Sequence, residues 1–405
     1  MARDIDPGGS RQTPAHAFSE ALHRAAGDGA PSPRDAYALI RCADEDVPAL
    51  LGAAAAARDR AKGRTVTYSR KVFLPITNLC RDRCSYCTFR KDPDDPGAWT
   101  MTRADIVAWL ERARSQGCRE ALMCLGDRPE TAFRSHRETL RALGHRSTIG
   151  YVREACEIAL ALGLLPHTNA GLLSVEEMRW LRKVNVSLGL MLETTSPRLR
   201  MRGMAHNHAP DKEPGRRLVM IAEAGRLSIP FTTGILVGVG ETPEERVDSL
   251  FAIADLQRIY GHIQEVIIQN FRTKPDIPMA DTAEPAAGEL ARAVAVARLV
   301  LGGDMNLQAP PNLSPDDHRL LLRAGINDWG GISPVTRDYV NPEAPWPEVA
   351  ALGVACEAEG FVLRERLAIY PEYVRAEFLD PALAGPVDRL ADAIAREGVH
   401  ALAAH

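Results

Sequence analysis

From residue 71 onward the chain alternates short apolar runs with longer stretches in which apolar residues recur at helical spacing. The runs are KVFLPI (71–76), EALMCL (120–125), LLPHT (164–168), VSLGLML (186–192), FTTGILV (231–237), EVIIQNF (265–271) and NLQA (306–309), with a weaker one at GINDW (325–329). A short apolar run bounded by turn residues reads as a strand buried on both faces. The stretches between carry helix starts. Thr102 with Asp105 and Ser174 with Glu177 have capping-box spacing. Thr242-Pro243-Glu244-Glu245 and Ser314-Pro315-Asp316-Asp317 add proline in the first turn. Strand and helix alternating this often predicts parallel strands joined by crossover helices. The fold expected is α/β, a TIM-like (β/α) barrel with six clear core strands and two more.

The flanks read differently. Residues 1–14 are rich in Gly, Pro and polar residues and are expected to be disordered, with helices at 15–27 and 33–62. Helices at 346–360 and 381–404 are expected to pack outside the barrel. The organisation expected is an N-terminal segment (1–65), the barrel (66–345) and C-terminal helices (346–405). No internal repeat and no long linker interrupts it. A length of 405 residues suits one large barrel-type domain. The net charge of −4 supplies no basic field for nucleic acid. The first residues, MARDIDPGGSRQTPAHAF, do not read as a signal peptide and no run approaches about 20 apolar residues, so no membrane is expected and the cytoplasm is.

The chemistry-bearing feature is NLCRDRCSYCTFR (78–90), which follows the first strand. Its cysteines, Cys80, Cys84 and Cys87, are spaced C-x3-C-x2-C. The other five cysteines (Cys42, Cys118, Cys124, Cys156, Cys356) are scattered and expected in the core. Zinc sites are usually four-coordinate and built from paired knuckles, and a second pair is missing here. A Cys84/Cys87 dithiol would leave Cys80 idle. Three thiolates can also hold three irons of a four-iron cluster, leaving one iron open.

C-x3-C-x2-C after the first strand of a (β/α) barrel resembles the signature of the radical S-adenosylmethionine enzymes, with Tyr86 as the aromatic before the third cysteine. The resemblance implies a 4Fe–4S cluster on Cys80, Cys84 and Cys87, with S-adenosylmethionine on the open iron. Chemistry in such barrels sits at the C-terminal ends of the strands, so those ends are the candidate site. Gly126 and Asp127 stand where the family holds the amino group of S-adenosylmethionine, although the family has glycine in place of Asp127. Asn169 ends strand three. Glu193 ends strand four, where the family meets ribose hydroxyls. Gly238 lies in a GILVGVGE segment (234–241) that resembles the family's adenine support, with Glu241 bracing the turn. Gln269 and Asn270 offer amides to adenine. By position at the rim, His167, Gln308, Asn312, Asp328 and Trp329 are expected to line the substrate pocket. Asp211 and Lys212 either bind substrate or cap the helix near Pro214.

Further words narrow the resemblance: CLGDRPE (124–130), LPHTNAGLLS (165–174), SLGLMLETTS (187–196), IIQNFRTKPD (267–276), LQAPPNLSP (307–315) and GINDWGGISPVT (325–336). They are similar to the deazariboflavin synthase family of coenzyme F(420) biosynthesis, in its ring-closing branch. That implies a lyase-type reaction on a hydroxybenzyl-ribitylimino-dihydrouracil adduct, releasing ammonia, methionine and 5′-deoxyadenosine. A separate radical enzyme would make the adduct, and a ferredoxin or flavodoxin would donate the electron. The alternatives are a related radical enzyme acting on tyrosine plus diaminouracil, one of the aminofutalosine synthase type, and a non-catalytic zinc scaffold.

Overall fold

The computed structural model describes residues 14–27 and 29–403. The strands are β1 (Thr65–Leu74), β2 (Glu120–Cys124), β3 (Leu165–Asn169), β4 (Ser187–Gly189), β5 (Phe231–Val237), β6 (Ile263–Asn270), β7 (Leu307–Gln308), β8 (Asp328–Ile332) and β9 (Val362–Glu365). The first eight are parallel and pair in chain order, and β1 pairs with both β2 and β8, which closes the barrel. Crossover helices cover the outside. Three of the four expected starts form as full or proline-led capping boxes, at Thr102, Ser174 and Thr242. The fourth does not. A short turn occupies Pro311–Leu313, and the helix begins at His318 without a side-chain cap.

The N-terminal helices pack on the barrel helix Ala287–Leu301, whose residues from Leu290 to Val300 are all buried except Arg292 and share the main core with Leu50 and Ala54. The single helix expected at 33–62 is two, Pro33–Ile40 and Val47–Lys62, with a turn at Asp44–Asp46 between them. Pro48 has no N–H to donate, so it sits in the first turn of the second helix rather than inside one long helix.

Sequence periodicity did not reveal β9. It pairs in parallel with the first residues of β1, from Thr65↔Val362 to Tyr68↔Glu365. The chain then turns under the barrel. Leu367, Ala368, Ile369 and Tyr370 form a second apolar cluster with Leu165 and Val186, at the starts of β3 and β4. The C-terminal segment therefore plugs the N-terminal mouth of the barrel, in addition to packing outside it.

One irregularity bears on the site. Thr67 faces Asp328 and Ser69 faces Gly331, so β8 carries one residue more than β1 over this stretch. The extra residue is Gly330, at φ +70°. This is a glycine bulge, a feature that re-aims side chains beside active sites. Among the described residues, no helix is long and apolar enough to cross a membrane.

Candidate active site

The barrel encloses a cavity of about 380 Å3 that runs from the rim at the strand C-termini down to the plug. Cys80, Cys84 and Cys87 all line its upper end. Gly126 presses on Cys80: a Cβ built there would stand 2.4 Å from the Cys80 sulfur. The Asp127 N–H donates to that sulfur at 3.2 Å. Burial is the main cause that raises the Cys80 thiol, to about 12, and it raises Cys84 as well. Thiols in such surroundings ionise only against a bound cation. Among the described residues, no three His, Cys, Asp or Glu side chains converge on a single ion. Cys118 is packed in the main core, so it cannot complete a zinc site here. Cys124, expected in the core, instead lines the cavity at the end of β2.

The rim is a network of loop residues. Glu193 has φ +66°, a left-handed conformation that costs a non-glycine residue of order 1–3 kcal/mol. Its carboxylate accepts from the Tyr86 hydroxyl at 2.6 Å, lies 3.1 Å from His206 Nε2, and pairs with Lys212. Burial pushes this carboxyl up, but the Lys212 ammonium leads the charges and hydrogen bonds that hold it well below its usual range. Asp127 ties β2 to β3 by accepting from the Leu172 N–H at 2.6 Å. Gly171, at φ +71°, leaves it room, since a Cβ there would meet Asp127 Oδ1 at 2.3 Å. The other oxygen, Oδ2, is 3.1 Å from Arg81 Nε but has no hydrogen-bond partner. Burial and the neighbouring Asp211 push Asp127 up to about 8.

Asp211 is fully buried on the Arg81 guanidinium, and the Glu213 side chain caps the helix at Pro214. Lys212 faces the cavity with Arg217. Glu241 braces its turn by accepting from Gly238 N and Val239 N, both at 2.8 Å.

Most of the other expected site residues reach the same cavity. Asn169, Gln269, Asn270, His167, Gln308 and Asn312 line it with Tyr86, Gly126, Asp127 and Glu193. The Asn270 amide donates to the Leu313 carbonyl at 3.1 Å, and its Oδ1 is buried without a hydrogen bond. Three expected residues lie elsewhere. Gly238 forms a turn at φ +97° against Pro285. Asp328 is fully buried and spent on Arg366, which donates to it at 2.6 and 2.9 Å. Trp329 follows Asp328 in the pleat, so it points outward. Its Nε1–H donates to the Cys356 sulfur at 3.3 Å, and its ring meets His318.

The floor of the cavity was not anticipated. Lys71, Glu120, Glu265 and Arg366 line it alongside His167. Lys71 Nζ is 2.9 Å from Glu120, which also accepts from the Ser69 hydroxyl. Burial raises Glu120, and Lys71 leads the groups that bring it below its ordinary value. Arg366 donates to Glu265 at 2.7 Å. Burial pushes His167 down to about 4, so it is neutral near pH 7, with Nδ1 2.6 Å from the Ser187 hydroxyl. The available signal was a charged residue opening each of three apolar runs, at Lys71, Glu120 and Glu265. On one wall above the floor, Phe73 and Trp346 stack with ring centroids 5.1 Å apart.

A parallel (β/α) barrel with three clustered thiols at its rim defines the class of protein. The family model described as the Radical SAM superfamily matches residues 74–253. The fold is shared with the FeFe-hydrogenase maturase HydG from Carboxydothermus hydrogenoformans (TM-score 0.70, 18% identity, 88% of this chain and 81% of that one). It is shared as well with methylornithine synthase PylB (TM-score 0.65, 18% identity, 85% and 97%). Sequence similarity is more specific. The chain is 48% identical over 328 residues to 7,8-didemethyl-8-hydroxy-5-deazariboflavin synthase of Methanopyrus kandleri, covering 81% of this chain and 98% of that one. It is 47% identical to the synthase of Methanothermobacter thermautotrophicus, covering 80% and 98%. It is 44% identical to FO synthase of Streptomyces coelicolor, covering 96% of this chain but 46% of that longer one. The chain belongs to the 7,8-didemethyl-8-hydroxy-5-deazariboflavin synthase family.

Proposed function

We propose that this chain closes the central ring of 7,8-didemethyl-8-hydroxy-5-deazariboflavin (FO), a step of coenzyme F(420) biosynthesis. The substrate is 5-amino-5-(4-hydroxybenzyl)-6-(D-ribitylimino)-5,6-dihydrouracil, which loses ammonia. One S-adenosylmethionine is consumed, giving methionine and 5′-deoxyadenosine. The carrying observation is that three thiols spaced C-x3-C-x2-C share one cavity, in a chain 48% identical to a synthase of that name.

The residues present fit a 4Fe–4S cluster with S-adenosylmethionine. Cys80, Cys84 and Cys87 would hold three irons, and the Asp127 N–H already points at one sulfur. When bound, the pair supplies one electron to the sulfonium, and with it a carbon radical able to take hydrogen from the substrate. The chain's own residues orient and enclose. Asp127 Oδ2, buried without a hydrogen bond, suits an ammonium group. Lys212 and Arg217 suit a carboxylate. Glu193, with Tyr86 fixing its orientation, suits ribose hydroxyls. The side-chain amides of Asn169 and Gln269 and the free oxygen of Asn270 suit adenine. His167, Gln308 and Asn312 suit the substrate, and the Phe73–Trp346 stack suits its aromatic part while excluding water.

The adduct comes from a separate radical enzyme, and the electron from a ferredoxin- or flavodoxin-type donor. The described cysteines are all free thiols, which fits the reducing cytoplasm. The test is anaerobic turnover of the reconstituted protein with adduct and S-adenosylmethionine, following deazaflavin fluorescence and 5′-deoxyadenosine. Both should appear together. Formation of 5′-deoxyadenosine without deazaflavin would reject the ring-closing reading.

A further inference from the structure

The floor of the cavity is built for an occupant, and the double glycine of β8 shows how. The bulge at Gly330 turns two successive backbone positions of β8 toward inward side chains. A Cβ at Gly330 would stand 1.9 Å from Gln308 Nε2, and one at Gly331 would stand 1.7 Å from Lys71 Cε. The strand therefore gives up both side chains to let Lys71 and Gln308 lie across it. Gln308 is 7% exposed, and its amide finds no hydrogen-bond partner among the described residues. Lys71 spends one N–H on Glu120. His167 spends Nδ1 on Ser187, which leaves Nε2. The Gln308 amide and the remaining Lys71 N–H groups face the cavity, where a ligand can meet them.

We propose that this floor binds the ribityl chain of the substrate, with Lys71, Glu120, His167 and Gln308 meeting its hydroxyls. The inference rests on the ring-closing reading. Each hydroxyl both donates and accepts. The floor brings donors (Lys71, the Gln308 amide N–H) together with acceptors (Glu120, the Gln308 amide oxygen), which suits groups that both donate and accept. Orientation follows from the strand register. Phe73 lies two residues beyond Lys71 on the same face of β1, so the aromatic wall sits above the floor. The cysteines sit higher still, on the loop after β1. A molecule with its rings against Phe73 and Trp346 places the polyol downward and the reacting carbons toward the rim.

The test is binding of FO itself, by fluorescence anisotropy, to the anaerobic cluster-loaded protein. The comparison compound is the same deazaflavin with a methyl group in place of ribityl. The wild-type protein should prefer FO by roughly tenfold or more, since each buried hydrogen bond contributes a factor of several. Gln308→Leu and Lys71→Met should each lower that preference several-fold while leaving the methyl compound unaffected. Glu120→Gln, which keeps the shape, should do so to a lesser degree. Equal weakening of both compounds, no change in the ratio, or no wild-type preference would overturn the floor assignment. If adduct is still converted to FO while the ratio is unmoved, the floor assignment alone fails. If the adduct is not converted, the ring-closing reading fails. Cluster absorbance and the melting temperature separate a misfolded variant from an informative one. If Lys71→Met does not fold, Gln308→Leu decides.

Discussion

The two ends of the cavity hold charge in different ways. At the rim, Asp127, Glu193 and Lys212 stand beyond the strand ends, Glu193 bridged to Ile235 of β5 and Lys212 in a short turn, and left-handed φ occurs at Glu193 and at Arg128 beside Asp127. At the floor, Lys71, Glu120 and Glu265 stand on strands in fixed register, with Lys71 opposite Glu120. The rim thus places its groups through local strain and contacts beyond the strand ends, held in place by the structure around them. The floor places them through the sheet that also holds the fold together. Removing a rim group should therefore cost chemistry, and removing a floor group should cost both chemistry and stability.

The largest effect expected tests the rim. Cys84→Ala should abolish both 5′-deoxyadenosine and deazaflavin, because a cluster held by two cysteines loses its third anchor. Its denaturant midpoint, measured on protein without cluster, should stay near that of the wild type. A large fall in midpoint would erase the contrast between the two ends.

The floor should show the opposite balance. Lys71→Met leaves Glu120 buried with its nearest cation gone, and breaking one partner of a buried pair costs about 3–5 kcal/mol. Urea unfolding should register that loss. Lys71→Met with Glu120→Leu should recover most of it, since two apolar groups carry no uncompensated charge, while FO formation stays impaired. If the double variant is no more stable than the single one, the pair is not the source of the cost.

A smaller effect follows from His167. Its folded pKa of about 4 lies below the ordinary 6.5, so between those values the unfolded chain binds the extra proton. Stability from this group is complete above 6.5, falls with decreasing pH, and is lost by about 4. The total is about 3 kcal/mol. Burial is the main cause. Glu120 opposes it, while Lys71 and Arg366 reinforce it. His167→Gln should make the slope of unfolding free energy against pH shallower by up to one proton over that window. An unchanged slope would mean that His167 is more hydrated than its 7% exposure implies.

The difference between the ends also decides what could be read from the sequence. The rim was legible because its chemistry is local. Cys80, Cys84 and Cys87 fall within eight positions, and Glu193 and Asn169 end apolar runs. The closed barrel was legible for a related reason, since alternating runs and capping boxes are short-range patterns. The floor was not legible. Lys71, Glu120 and Glu265 are charges at the starts of apolar runs, where period-two faces are hidden by burial on both sides. Arg366 comes from a segment whose partner strand lies 297 residues earlier, by the pairing Thr67↔Arg364 beside it, and no local pattern connects them. Trp329 was misplaced because neighbouring residues of a strand face opposite sides, and the pairing of Asp328 with Thr67 is needed to see that Trp329 is the one facing outward.

The smallest effect tests that bulge. In Gly330→Ala the new Cβ must hold φ +70°, which costs an L-residue about 1–2 kcal/mol. It also meets the end of the Gln308 side chain, which is flexible and can move aside. The fold should therefore survive with a loss near that figure, visible in urea unfolding. The displaced amide should raise the KM for the adduct several-fold and leave kcat close to wild type, because the rim is untouched. Gly330→Ala in a Gln308→Ala background removes the collision but keeps the backbone cost. The stability penalty should persist there, while the additional rise in KM should vanish. A KM effect that persists without the Gln308 side chain would show that the glycine serves the strand alone and not the placement of that amide.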